Sequence, residues 1–186
     1  MTWLTDSTAL IIIDVQEGLD DPRLGRRSNP DAENNIARLL ADWRAKGRPI
    51  YHVQHMSTEP DSPLRPELPG NAIKRVVAPQ GDELVIQKTV NNAFVGTDLE
   101  KRLRETAIQS VVIVGLTAEH CVSTTARMAS DLGFSTIVVA DATASHEHTG
   151  YDGVHYPAET VHTLSLVSLQ DEFATILTTD QLLDEG

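Results

Sequence analysis

Residues 8–14 read T-A-L-I-I-I-D, an unbroken apolar run that ends on a carboxylate. Such a run is typical of a buried parallel strand, because helices cover both faces of a parallel sheet. Similar strand patterns recur at 48–55, 84–88, 110–115, 135–141 and 174–177. Segments with helical spacing of apolar residues separate most of them, at 29–46, 97–106, 119–132 and 157–169. Strands that alternate with helices predict an α/β domain with a mostly parallel sheet.

The composition indicates a single soluble domain spanning 1–186, since 40% of the 186 residues are apolar and 23% are charged. The formal net charge of -12 repels phosphate backbones and anionic lipids, so we expect no nucleic-acid or membrane partner. A single cysteine excludes an internal disulfide framework, and the first residues lack the basic and apolar regions of a secretory signal. We therefore expect a cytoplasmic protein.

Three residues with reactive side chains lie where predicted strands end. Asp14 ends the first strand, Lys88 ends the third, and Cys121 follows the fourth at the start of a helix. Each alone has an ordinary structural interpretation: a loop anchor, a solvated lysine or a small buried thiol. Because ligands of open parallel sheets bind beyond the carboxyl ends of the strands, their joint occurrence predicts a site there.

These residue types suit acyl transfer. The start of a helix and a nearby ammonium both favour thiolate at Cys121. Asp14 is placed to receive the thiol proton and to return it to a leaving group, while Lys88 supplies the cation. Backbone N–H groups of Thr117 and Cys121 are expected to hold the developing oxyanion. The predicted product of attack is a thioester that water hydrolyses.

Three longer stretches carry a family resemblance: A-L-I-I-I-D-V-Q at 9–16, V-I-Q-K-T-V-N-N-A-F-V-G-T-D-L at 85–99, and V-V-I-V-G-L-T-A-E-H-C-V-S-T-T-A-R-M-A-S-D-L-G-F at 111–134. With them the chain resembles the isochorismatase-like cysteine hydrolases, which include nicotinamidases and N-carbamoylsarcosine amidohydrolase. The resemblance implies a Rossmann-like, three-layer α/β/α fold with a six-stranded sheet. It also implies a catalytic triad of Asp14, Lys88 and Cys121, a cis peptide at Leu116-Thr117, and a homodimer or larger homo-oligomer.

Motif position suggests four substrate contacts: Gln16, His55, Asn92 and Phe94. Phe94 is also compatible with a plain core position. Asn92 stands where the family pattern has serine, so the substrate of a particular relative does not transfer to this chain.

No metal or other cofactor is expected from the segment around the second strand. Nicotinamidases bind a metal there through an Asp-x-His-type cluster, but this chain has His52-Val53-Gln54-His55 without the carboxylate. Since His52 and His55 are three residues apart on a strand, their side chains are expected to face opposite sides.

Two further segments have open roles. The stretch 56–81 is rich in proline and glycine, and an irregular excursion of this length inside a domain is usually functional. His146 and His148 are expected in a loop after the fifth strand, as solvated residues, as part of the pocket rim or at a subunit interface. His120 precedes Cys121 on the predicted helix, and its side chain is expected to point elsewhere.

Three functions remain compatible with the sequence. The first is cysteine-dependent hydrolysis of a small-molecule amide, carbamoyl or related C–N bond. The second is isochorismatase-type hydrolysis of a vinyl ether, which requires an acid but no thiol nucleophile. The third is a non-catalytic binding protein on the same fold. A dinucleotide-binding enzyme is not expected, because no G-x-G-x-x-G follows the first strand.

Overall fold

The computed structural model of the protein describes residues 4–184. Its strands are β1 (Thr8–Ile13), β2 (Ile50–His55), β3 (Leu84–Lys88), β4 (Ser110–Leu116), β5 (Ser135–Ala144), β6 (His148–Thr149), β7 (His155–Tyr156) and β8 (Thr175–Leu177). Its helices are α1 (Ala32–Ala45), α2 (Leu99–Glu105), α3 (Ser123–Asp131), α4 (Ala158–Val167) and α5 (Thr179–Asp184).

Six strands form one sheet in the order β3-β2-β1-β4-β5-β8, and every neighbouring pair in it is parallel. The remaining two strands, β6 and β7, form a separate antiparallel hairpin. The predicted three-layer α/β/α fold is confirmed. The sheet is fully parallel, which is stricter than the mostly parallel sheet that the alternation predicted.

The apolar run of β1 is buried because the sheet has a core on each face. Leu10 and Ile12 belong to a cluster with residues of α1 and α5, whereas Ile11 and Ile13 belong to a cluster with residues of α2, α3 and α4. Successive side chains of a strand point to opposite faces, so both sets must be apolar. The sequence therefore shows a continuous run rather than an alternation.

The strand order reverses at β1 and β4, where the two strands come unusually close. Gly115 near the end of β4 has φ +121°, and a Cβ atom built there would lie 2.1 Å from the carbonyl oxygen of Ile13. Only glycine fits this contact. The close approach brings the segments that follow β1 and β4 together at the carboxyl edge of the sheet.

The structure differs from the predicted elements near the site. The predicted helix at 119–132 begins with a wide π-helical turn, Ala118–Val122, before the regular helix α3. The β6–β7 hairpin and helix α5 were not predicted. The excursion 56–81 contains two short 3-10 turns, Pro69–Asn71 and Arg75–Val77.

None of the helices within residues 4–184 has the length and apolar character required to cross a membrane.

We expect Gly115→Ala to lower the free energy of unfolding by roughly 3 kcal/mol or more, since it adds a backbone clash to the strain of a left-handed alanine. Gly133→Ala is the matched control: its φ is +86°, but a Cβ there meets no atom within 4 Å. The control should lose only about 1–2 kcal/mol. Urea denaturation of both variants measures the difference, and equal losses would contradict the close approach of β1 and β4.

Candidate active site

The site lies at the carboxyl edge of the sheet, where four strands each end near one side chain. Asp14 follows β1, His55 ends β2, Lys88 ends β3, and Cys121 lies in the turn after β4. Ligands of open α/β sheets bind where the strand order reverses, which here is between β1 and β4. The three residues predicted to form a triad are therefore brought together.

The Lys88 ammonium lies at the centre of this group. Its Nζ atom is 2.6 Å from Oδ2 of Asp14, 2.9 Å from Nδ1 of His55 and 3.4 Å from Sγ of Cys121. The lysine side chain is fully buried. Strands are about 4.8 Å apart, so a long side chain is required to reach from β3 past β2 to Asp14.

His55 is a neutral hydrogen-bond acceptor in this arrangement. Burial, together with the Lys88 ammonium, lowers the pKa of His55 to about 4. At neutral pH its Nδ1 accepts the hydrogen bond from Lys88, which places the ring proton on Nε2. The predicted separation of the two histidines is also observed: His52 bonds Glu83 on the other side of the strand, with Nε2 and Oε2 2.9 Å apart.

Asp14 is suited to accept and release a proton near neutral pH. Burial raises the pKa of its carboxyl to about 6, and the Lys88 ammonium limits the rise. Oδ2 bonds Lys88, but the buried Oδ1 has no hydrogen-bond partner among the described residues. One carboxylate oxygen is thus held in place while the other remains available to a proton.

The surroundings of Cys121 oppose the thiolate that its position at a helix start predicts. Burial raises the pKa of the thiol to about 12, and the Asp14 carboxylate acts in the same direction. The Lys88 ammonium lowers the pKa but does not offset these two effects. The helix start is also less regular than predicted, because Cys121 lies within the π-helical turn. Burial and the neighbouring carboxylate thus favour the protonated thiol.

A cavity of 430 Å³ opens above this group, and its wall includes Asp14, His55, Thr117 and Cys121. The Leu116-Thr117 peptide bond at its base is cis. Leu64 reaches the wall from the excursion 56–81. The volume is that of a site for a small organic molecule.

Gln16 does not line the cavity, contrary to the expected substrate contact. Its amide is buried and donates to the carbonyl oxygens of His55 and Asn71 at 3.0 and 2.8 Å, while its Oε1 accepts from the backbone N–H of His55 at 2.8 Å. Gln16 thus fastens the excursion to the end of β2. Its motif position marks a structural anchor.

Asn92 and Phe94 also lie outside the cavity wall. Asn92 donates to the carbonyl oxygen of Thr124 at 3.0 Å and accepts from the backbone N–H of Phe94 at 2.9 Å. The Phe94 ring stacks on Phe134 in the core at a centroid distance of 6.2 Å. The neighbouring Asn91 lines the cavity instead, with Oδ1 3.7 Å from Sγ of Cys121.

The cavity wall also contains residues for which the sequence predicted another direction or no definite role. Glu119 and His120 line it because the π-helical turn changes the direction of both side chains relative to a regular helix. His146 and His148 line it too, so of the roles expected for their loop the structure shows a place in the pocket wall.

Within residues 4–184, two sets of side chains have donor atoms close enough together to hold a metal ion. In the first set, Asp14, His55 and Cys121, the Lys88 ammonium already occupies the place of a cation. The second set is Glu119, His120 and His148.

Comparisons with known proteins agree with the fold. The family model of the isochorismatase domain matches residues 8–181. The chain is 48% identical over 182 residues to the uncharacterized isochorismatase family protein YrdC of Bacillus subtilis (strain 168), covering 98% of this chain and 97% of that protein.

Two more distant matches extend this result. A streptothricin hydrolase of Streptomyces noursei is 30% identical over 149 residues, which cover 78% of this chain and 58% of that protein. The crystal structure of a candidate isochorismatase-family hydrolase from Chromobacterium violaceum superposes with a TM-score of 0.96 at 37% identity. This superposition covers 100% of this chain and 96% of that one.

We expect Gln16→Ala to lower the free energy of unfolding by about 1–3 kcal/mol, because it leaves the backbone N–H of His55 without its partner and removes one of the two donors from each of the carbonyl oxygens of His55 and Asn71. Gln87→Ala is a matched control, since that exposed glutamine has a single bond to Gln54 at 3.1 Å. The control should stay within about 0.5 kcal/mol of wild type. Chemical denaturation measures both, and an unchanged Gln16→Ala protein would exclude the anchoring role.

Proposed function

The chain belongs to the isochorismatase family of hydrolases, and on this basis we propose that it hydrolyses a C–N bond of a small amide or carbamoyl compound through a thioester on Cys121. One observation carries the proposal. The Lys88 ammonium joins the Cys121 sulfur to the carboxylate of Asp14, whose pKa of about 6 suits a proton acceptor at neutral pH.

Acylation begins with attack of Sγ of Cys121 on the substrate carbonyl carbon. The thiol proton passes to Asp14 as the S–C bond forms, because the resting thiol is too weak an acid to ionise first. Backbone N–H groups of Thr117 and Cys121 stabilise the oxyanion. Collapse breaks the C–N bond, and Asp14 returns the proton to the departing amine.

Deacylation uses the same carboxylate. Asp14 takes a proton from water, the resulting hydroxide adds to the thioester carbon, and Cys121 leaves with that proton as the thiol. The ammonium of Lys88 is needed throughout, because it holds Asp14 in position and limits the rise of its pKa. Each group ends the cycle in its starting protonation state.

Vinyl-ether hydrolysis is the second candidate, favoured by the raised pKa of Asp14. A carboxyl group with a pKa of about 6 is also able to protonate an enol ether carbon. In that reaction Cys121 forms no bond to the substrate. The two candidates therefore differ in whether a covalent intermediate exists.

We expect Cys121→Ala to lower turnover at least ~10³-fold on the amide or carbamoyl compound that proves active in a screen including isochorismate. In the wild type, added hydroxylamine should intercept the thioester and give a hydroxamate. Product analysis by mass spectrometry measures both effects.

The matched control is Ser130→Ala, on helix α3 and outside the cavity wall, which should retain wild-type turnover. Turnover of an amide by Cys121→Ala at the wild-type rate would exclude the nucleophile. Hydrolysis of isochorismate alone, without covalent trapping, would favour the second candidate.

We expect kcat/KM for the amide to fall about tenfold per pH unit below pH 6, because Asp14 must be ionised to accept the thiol proton. The sign follows from the role: protonation of a base removes activity as the pH decreases. Initial rates between pH 4.5 and about 8 test this, with circular dichroism at each pH as the control for folding. A rate that does not change across this range would contradict Asp14 as the base.

A further inference from the structure

We propose that Glu119, His120 and His148 form a binding site for a divalent transition-metal ion, such as Zn²⁺, on the wall of the cavity. One donor atom from each of the three side chains lies within 4.8 Å of the other two. Two imidazoles and one carboxylate are a donor set that Zn²⁺ and its neighbours in the first transition row prefer.

The separation between Glu119 and His148 fits two ligands of one ion. Oε1 of Glu119 and Nε2 of His148 are 3.3 Å apart, which is longer than a good hydrogen bond between such groups. Ligands at about 2.1 Å from a tetrahedral metal are about 3.4 Å from each other. The pair is thus already at ligand spacing, and the donor atom of His120 lies within 4.8 Å of both.

Glu119 lacks a cationic partner. Its Oε2 atom is buried and has no hydrogen-bond partner, and within residues 4–184 no lysine or arginine forms an ion pair with it. A buried carboxylate is costly unless a cation or several donors satisfy it. Oε1 receives only long contacts, from His148 and from the backbone N–H of His146 at 3.4 Å. A metal ion would satisfy this carboxylate.

His120 presents its other ring nitrogen to the same place. Its Nδ1 lies 3.4 Å from the hydroxyl oxygen of Thr117. Metal-binding histidines commonly use one ring nitrogen for such a supporting contact and coordinate through the other. Since Thr117 contacts Nδ1, Nε2 of His120 is the ring nitrogen left to bind a metal ion.

The site is separate from the cysteine. In the other candidate set, Asp14, His55 and Cys121, the Lys88 ammonium already contacts all three side chains. Its charge disfavours a second cation there. Three protein ligands leave a coordination position open. Because Glu119, His120 and His148 all line the cavity, a substrate oxygen or nitrogen atom is able to reach that position.

The test is metal binding by the full chain without a polyhistidine tag, stripped with a chelator and dialysed. Calorimetric titration with Zn²⁺ should show a single saturable site per chain. Glu119→Gln and His148→Ala should each weaken it at least ~100-fold. His155→Ala is the matched control, since this exposed histidine lies on the same hairpin outside the set. Its affinity should equal that of wild type.

Cobalt distinguishes the two candidate sets. Bound Co²⁺ should show no sulfur-to-metal charge-transfer absorption, and Cys121→Ser should bind Zn²⁺ as wild type does. The proposal is overturned by the absence of saturable binding, by binding that survives both Glu119→Gln and His148→Ala, or by binding that requires Cys121. Circular dichroism confirms that each variant is folded. No substrate is used, so the result is independent of the proposed thioester chemistry.

Discussion

The charge of Lys88 is the constraint around which the site is organised. A fully buried ammonium is stable only when anionic and polar groups surround it, and here the ends of three other strands provide them. Asp14 supplies the charge, and His55 and Cys121 supply neutral acceptors. A shift of one strand relative to its neighbours would leave this charge unpaired. The pairing of the sheet and the chemistry of the site therefore stabilise the same arrangement.

In the proposed mechanism, this arrangement gives a nucleophile that is protected at rest. The same burial that raises the pKa of Cys121 raises that of Asp14, so the proton stays on sulfur while the carboxylate remains ready to take it. A buried protonated thiol reacts slowly with oxidants and alkylating agents. Under the proposed thioester chemistry, reactivity then depends on a substrate whose carbonyl lies against the sulfur, and proton transfer to Asp14 is coupled to attack.

The fold and the meeting of Asp14, Lys88 and Cys121 at one edge of the sheet were predictable from the sequence because their signals are local. An apolar run marks a strand, and Asp14 and Lys88 lie where such runs end. The direction in which a side chain points is not marked by such a local signal. Gln16 carries a motif but points into the backbone of the excursion, and Asn91 rather than its neighbour Asn92 reaches the cavity. Sequence spacing does not distinguish two adjacent residues of a loop.

The wall residues Glu119 and His120 were beyond sequence reasoning for a related reason. A regular helix beginning at 119 would aim His120 away from the nucleophile, and nothing in the composition indicates a π-helical turn. The β6–β7 hairpin, which brings in His148, is likewise only two residues long on each side. Such short elements depend on tertiary contacts more than on local pattern.

The excursion 56–81 is anchored by hydrogen bonds to backbone groups and also contributes to the wall of the cavity. Asn71 donates to the carbonyl oxygens of His55 and Leu64 at 2.9 and 2.6 Å, so the segment is fastened by backbone groups. Leu64 also lines the cavity, while its carbonyl oxygen accepts one of these anchoring bonds. Replacing its side chain keeps the backbone groups that anchor the segment. The shape of the cavity is thus adjustable at this position without loss of the bonds that hold the segment in place.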